Sequence, residues 1–505
     1  MRTTASNELV RCTLQGQFLG VHRAPPWPPW VCPRRPRGEP ILCRAVSTSS
    51  PALDRLLEAN RAAGPARGRT VHVSLGADAL ADMPGWLADH APDSDDLIVC
   101  DDHTWAAAGA QVARLLGAAG RRVRARVLAP RPGDDHLVCE DGVIAALRDE
   151  LAAHPRQRAV AVGAGTVNDI AKMASFELGR DYVVAPTAAS MNGYTSLIAA
   201  VLVDGVKRTL PAQQPVAIFS DARVLREAPP RLNRAGFGDL LSKPYSNADW
   251  VLSHLVRDVP YDPTPSALLD DVFQRMVAAA PEVGRAEDEG LHVLMEAILL
   301  SGFSMTTAGT SAPASGGEHL ISHYWDMEQL HRGRPLMGLH GTQVGVGTRI
   351  SALLYERLVA LSADDLAVEA AAARRADAAW LDDLGAVHDT LSTEIVAEIR
   401  DQLAAKQKHG AALRAELEDV RARWPGIRAR LEATLMPAAC LTRALRQAGC
   451  VDRASGIDVG FARLVKTIRV CRHIRSRYVA LDLIDDLGLL EGWSEQVAHL
   501  TEAPA

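Results

Sequence analysis

His319 and His323 stand four residues apart in Ser315-Gly-Gly-Glu-His-Leu-Ile-Ser-His-Tyr-Trp325, and His340 follows in Gly338-Leu-His-Gly341. A helix through the first two puts both imidazoles on one face, and His340 opens a second expected helix. Two imidazoles and one carboxylate can hold a divalent metal with a coordination position left open, the donor set of a Lewis-acid centre. The candidate carboxylate is Asp239 in Ala235-Gly-Phe-Gly-Asp-Leu-Leu-Ser-Lys243. The glycines before it suit a backbone packed tightly at a helix start. Taken alone, an HxxxH pair is more often two ordinary polar helix residues, and Asp239 reads equally well as an N-cap.

Two turns offer phosphate and cofactor chemistry. Val160-Ala-Val-Gly163-Ala-Gly165-Thr166-Val167-Asn168-Asp169-Ile-Ala-Lys172 follows an expected strand and opens a helix. Its glycines let backbone approach a pyrophosphate, and the helix start presents free N–H groups and a positive dipole end. Asn168 replaces the third glycine of the dinucleotide signature, so a plain strand-to-helix turn is an equal reading. Ala185-Pro-Thr187-Ala188-Ala189-Ser190-Met-Asn192-Gly-Tyr-Thr-Ser196 ends the next strand with small hydroxyl residues. Such groups can line a nicotinamide or ribose, although a polar loop looks the same. In Cys100-Asp-Asp102-His103 a carboxylate can accept from ribose hydroxyls, favouring NAD over its 2′-phosphorylated form, or cap a helix.

The elements that must position these residues follow from pattern. Strands are predicted at 70–75, 97–100, 123–128, 158–162, 182–184 and 217–219, with helices such as 105–119 and 141–154 between them. That alternation predicts βαβ units and a parallel sheet. From about Pro229 the texture becomes helical, for example over 266–280, 291–303 and 358–379. The charged stretch 394–430 reads as a bundle face rather than a coiled coil, because clean heptads are not sustained.

The fold class expected is an α/β Rossmann-like nucleotide-binding domain over residues 52–228 plus an all-α domain over 229–505. Residues 1–51 hold PPWPPW, PRRPR and three cysteines. They read as a disordered extension or a start codon set too far upstream, in preference to an organelle transit segment.

The chain has 505 residues, 48% hydrophobic, 23% charged, with net charge −6. This is ample core material and no sign of a nucleic-acid partner. The eight cysteines form no CxxC pair, which fits reduced thiols in a cytoplasmic protein. No run reads as a membrane span.

In order, GAGTVNDIAK, PTAASMNGYTS, DGVKRTLPA, AGFGDLLSKPYSNADW, EHLISHYWDM and LHGTQVGVGT resemble the sn-glycerol-1-phosphate dehydrogenases of the iron-containing alcohol dehydrogenase and dehydroquinate synthase-like superfamily. The resemblance spans roughly Val71 to Glu491, including a tail at Ile474-Arg-Ser-Arg-Tyr. It implies a dehydroquinate synthase-like fold with a catalytic cleft between its halves. It places the pyrophosphate loop on Gly165, Thr166, Val167, Asn168 and Asp169, and the nicotinamide-side loop on Thr187, Ala188, Ala189, Ser190 and Ser196. The metal ligands fall on Asp239, His319 and His340, and substrate contacts on Asn192, Asp239 and His323.

The implied reaction is reversible, metal-dependent reduction of dihydroxyacetone phosphate, or a related phosphorylated ketone, by NAD(H) or NADP(H). Asp239 and His323 are then the catalytic residues. The metal is expected to be zinc, with nickel or iron as alternatives, and the enzyme a homo-oligomer. Relatives carry Asp where this chain has Asn192, which adds no charge but still hydrogen-bonds a hydroxyl. The segment His331-Arg-Gly-Arg334 bears on the site's rim.

A substrate phosphate needs cationic or backbone donors. Arg463, Lys466, Arg469, Arg472, Arg475 and Arg477 are expected to form a solvated helix face, with Arg475 or Lys207 as narrower phosphate candidates. Two other chemistries remain open: an unphosphorylated polyol or alcohol dehydrogenase, and a sugar-phosphate cyclase.

Overall fold

The computed structural model describes residues 51–63, 68–131, 137–203 and 206–503; the side chains of residues 206 and 207 stand outside that description. Six strands make one parallel sheet: β1 (His72–Gly76), β2 (Asp95–Asp101), β3 (Val123–Leu128), β4 (Gln157–Gly163), β5 (Tyr182–Pro186) and β8 (Ala217–Asp221). Their order is β1-β8-β5-β4-β2-β3. Each predicted strand lies in this sheet. The extension read over residues 1–51 falls outside the described residues, except that Pro51 opens a helix running to Ala62.

The central strands are continuous apolar runs because both sheet faces are covered. Leu97, Val99, Ala159, Ala161, Val184 and Ile218 point into a core continuous with the helical half. Their neighbours Ile98, Cys100, Val160, Val162, Val183 and Phe219 pack on the helices Met83–His90 and Ala110–Ala118. Period-two alternation thus gives each strand one foot in each core.

An antiparallel hairpin, β6 (Ile198–Val203) and β7 (Val206–Pro211), was not predicted from sequence. Its signal was the Asp204-Gly205 dipeptide between two runs that carry β-branched residues.

Among the described residues no strand follows β8. Helices Pro230–Leu240, Lys243–Arg257, Asp288–Ala308, Gly317–His331 and His340–Ala360 build the half that holds the histidines. Asp288–Ala308 is long and apolar enough to cross a bilayer, but 78% of its apolar window is buried within the protein. A helix apolar all round is what a core helix requires.

The helix expected over 358–379 is interrupted. The preceding helix ends at Ala360, a capping box between Ser362 and Asp365 starts a short turn, and a new helix spans Val368–Arg374. The charged stretch forms helices Thr393–Ala404 and Gly410–Glu432, the latter burying Leu413, Leu417, Val420, Trp424, Ile427 and Leu431 as a bundle face.

The basic tail is not the solvated face expected. Arg472 is 1% exposed and its guanidinium meets Asp482 and Asp485. Arg463 pairs with Glu328 at 2.8 Å and Lys466 with Asp389 at 2.6 Å. Acids from distant segments supply these partners, which spacing along one helix does not reveal.

Candidate active site

The three cofactor-side segments leave adjacent strands. β5, β4 and β2 are neighbours in the sheet, and the turns carrying Thr187, Gly165 and Asp102 all leave their C-terminal ends. That edge is where open parallel sheets bind ligands.

After β4, the helix Gly165–Glu177 starts directly. The N–H of Asn168 already donates to Ala164 O, so the helix start leaves the N–H groups of Gly165, Thr166 and Val167 without an intrahelical acceptor among the described residues. The Asn168 side chain faces inward, accepting from Tyr182 Oη at 3.1 Å and donating to Asp169 at 2.9 Å. Asp101 caps the segment after β2 through the N–H of Thr104, and Asp102 beside it is exposed. The capping role open to a carboxylate in this turn falls to Asp101.

In the second loop Thr187, Ala188, Ala189 and Ser196 are buried, and Ser190 is half-buried. Ser196 Oγ donates to Gly193 O at 2.9 Å, shaping the loop from within. Lys172 does the same from below: its buried ammonium donates to Gly193 O at 2.6 Å and Ile198 O at 3.0 Å, with Asp169 at 3.6 Å. It joins the phosphate-side helix to the loop bearing Asn192.

Asp239 lies near the C-terminal end of Pro230–Leu240, not at a helix start. Pro230 opens that helix, and the glycines serve helix contacts instead. A Cβ on Gly236 would sit 1.9 Å from Ala189 O, and one on Gly341 would sit 2.1 Å from Ala235 O. Only residues without side chains let this helix touch both the cofactor-side loop and the His340 helix. Asn233 completes the join, its Oδ1 accepting the N–H of Ala189 at 2.9 Å.

Asp239, His319 and His340 converge. One donor atom from each lies within 4.8 Å of the others, and Asp239 Oδ1 is 3.5 Å from His319 Nε2. His319 and His323 share the helix Gly317–His331, and His340 is the first residue of the next. His323 stands beside the cluster, its ring centroid 5.9 Å from His319 and 5.6 Å from His340. Asn192 overhangs it, with N 3.4 Å from Asp239 Oδ2 and Nδ2 3.5 Å from Oδ1.

Burial pushes the Asp239 carboxyl up, but the Lys243 ammonium at 3.7 Å and the His319 ring outweigh it and hold the group well below the usual carboxylate range. For His319, burial is outweighed by Asp239 and Glu318, which raise its proton affinity. A buried, ionised carboxylate with two imidazoles, one drawn to positive charge by two acids, fits a divalent cation in both donor chemistry and charge.

Lys243, Lys172, Glu318, Asn233 and Asp249 went unremarked as site residues in the sequence. Glu318 and Lys243 lie inside the quoted motifs, one and four residues from proposed ligands. Asp249 and Lys172 also lie inside quoted motifs, whereas Asn233 carries no local signal. Arg475 is exposed, and the Lys207 side chain lies outside the described residues.

A parallel α/β sheet is thus followed by a helical half that brings one carboxylate and three imidazoles together. The iron-containing alcohol dehydrogenase family model matches residues 74–229. A glycerol-1-phosphate dehydrogenase (NAD(P)+) of Bacillus licheniformis is 33% identical over 274 residues, 54% of this chain and 67% of that protein. This chain belongs to the iron-containing alcohol dehydrogenase family.

Its similarity extends to the enzyme of the same name from Halalkalibacterium halodurans, 37% identical over 267 residues. That match covers 51% of this chain and 64% of the relative's length. In fold alone, glycerol dehydrogenase from Schizosaccharomyces pombe superposes with TM-score 0.52 at 15% identity, over 86% of this chain and 92% of that one. Maleylacetate reductase from a Rhizobium species gives 0.52 at 14% identity, over 85% and 96%.

Proposed function

We propose that this chain catalyses the reversible NAD(P)H-linked reduction of dihydroxyacetone phosphate, or a closely related phosphorylated ketone, to sn-glycerol 1-phosphate or its analogue. The observation that carries the reading is the convergence of Asp239, His319 and His340 beside the Asn192 loop. The names of the relatives supply the substrate class.

Asp239, His319 and His340 hold a divalent cation, zinc first, with nickel or iron as alternatives. When bound, such a cation supplies Lewis acidity toward a carbonyl oxygen. A nicotinamide supplies hydride chemistry. The N–H groups at Gly165, Thr166 and Val167 receive the dinucleotide's phosphates. Thr187, Ala188, Ala189, Ser190 and Ser196 form the wall beside its ring. The exposed Asp102 carboxylate favours NAD(H) over NADP(H).

Asn192 orients a substrate hydroxyl through its amide. His323, beside the cluster and half-exposed, delivers the proton that the new hydroxyl requires. The enzyme acts in the cytoplasm as a homo-oligomer on a small-molecule substrate.

Anaerobic metal analysis combined with NADH oxidation on dihydroxyacetone phosphate tests this. The expected result is one divalent metal per chain, NADH consumed without phosphate release, and sn-glycerol 1-phosphate by chiral analysis. Preference for unphosphorylated ketones, or release of inorganic phosphate, overturns it.

A further inference from the structure

Glu318 is 0% exposed, and its carboxylate faces inward beside the proposed ligand His319. Its Oε1 lies 2.8 Å from His319 Nδ1 and accepts the N–H of Gly316 at 2.7 Å. Its Oε2 is buried with no hydrogen-bond partner among the described residues. The opposite ring nitrogen, His319 Nε2, is the one aimed at Asp239.

We propose that Glu318 is a positioning residue: it fixes the proton of His319 on Nδ1, leaves the Nε2 lone pair facing Asp239 and His340, and so sets the cation affinity of the cluster. The inference rests on the metal reading above and deepens it.

The geometry allows only this tautomer to ligate. A neutral imidazole, the form that ligates a metal, keeps its lone pair on Nε2 when it donates Nδ1–H to a carboxylate. The reverse tautomer would turn an N–H toward Asp239 and set two lone pairs against each other at Glu318. An outer carboxylate also raises the basicity of a ligating ring.

The surroundings hold Glu318 in place. Asp249 Oδ2 accepts the N–H of Gly317 at 2.7 Å, while its Oδ1 accepts from Tyr355 Oη at 2.6 Å and from the N–H of Ala480 at 2.7 Å. A Cβ on Gly316 would sit 2.4 Å from Asp249 Oδ2 and 2.9 Å from Glu318 Oε2, so glycine there lets both carboxylates reach the helix start. Arg477, anchored on Ser311 Oγ at 3.0 Å and on Ser315 O, provides opposing charge to both acids. The second imidazole has a lesser counterpart: Ser322 Oγ is 3.3 Å from His340 Nδ1.

Zinc affinity is measured by chelator competition on wild type, Glu318→Gln, Glu318→Ala and Ser322→Ala, with circular dichroism and the metal-free melting temperature as fold controls. Both Glu318 variants are expected to bind zinc about 10–100-fold more weakly with the fold unchanged, and Ser322→Ala to lose less. Unchanged affinity in folded Glu318→Gln overturns the proposal.

Should the variants not fold, histidine-labelled wild type loaded with zinc answers by nitrogen NMR. A His319 proton on Nδ1 supports the proposal, and one on Nε2 overturns it. Wild type that binds no zinc sinks the metal reading itself, whereas wild-type binding matched by Glu318→Gln sinks only the role of Glu318.

Discussion

Asn192 meets Asp239 twice, its backbone N–H 3.4 Å from one carboxylate oxygen and its side-chain amide 3.5 Å from the other. A residue from the sheet half thereby overhangs the proposed ligand from the helical half. An amide there donates to the carboxylate, whereas a second carboxylate would repel it.

Asn192→Asp is therefore expected to lower the metal-free melting temperature and to enlarge the rise in melting temperature on adding zinc, because a cation relieves the new repulsion. Differential scanning calorimetry with and without zinc measures both. Equal zinc shifts in the two proteins would count against the closeness of residues 192 and 239.

Removing a ligand removes the centre. Asp239→Asn, His319→Ala and His340→Ala should each leave little bound metal and cut turnover by roughly 1,000-fold, equivalent to about 4 kcal/mol of lost stabilisation. His323→Ala should keep the metal and lose mainly kcat, about 100-fold for a missing proton donor. Metal content per chain beside kcat separates the two roles.

Lys172 is a structural link. Its ammonium donates to the carbonyls of Gly193 and Ile198 and lies near Asp169. Lys172→Met should destabilise the protein by about 1–3 kcal/mol, because the carbonyls of Gly193 and Ile198 lose their buried donor. It should also raise KM for the nicotinamide. Thermal unfolding and cofactor titration check this, and an unaltered melting temperature would contradict it.

Acid stability depends on buried groups outside the proposed ligand set. His388 is 0% exposed, its Nδ1 3.0 Å from Tyr324 Oη and its Nε2 3.1 Å from His473 Nδ1. Burial, aided by nearby Lys466, pushes His388 down to about 4. Between pH 6.5 and 4 the unfolded chain therefore binds a proton that folded His388 refuses, so stability falls as pH falls, by up to about 3 kcal/mol.

Asp249 acts oppositely. Burial and the charge of Glu318 raise it to about 7, so the folded chain holds a proton that the unfolded chain releases, and stability falls as pH rises from 4 to 7. His388→Gln should flatten the acid-side loss in melting temperature, and Asp249→Asn should steepen it. Melting curves across pH 4 to 7 distinguish the two.

The six parallel strands, the helical half, the helix carrying His319 and His323, and the helix opened by His340 were legible in the chain itself. Each depends on local periodicity and on punctuation by glycine and proline, which neighbours along the backbone decide. Residue order also singled out Asp239, His319, His340, His323 and Asn192. It misplaced Asp239 at a helix start, since Gly236 and Gly238 look like turn residues until another backbone is seen pressed against them.

Only the folded structure decided that Arg472 is buried, that Lys172 joins two loops, and that Glu318 rather than a backbone carbonyl faces the Nδ1 of His319. Those contacts pair segments far apart in the chain. Their energies come from burial and charge compensation across the fold, which no window of sequence contains.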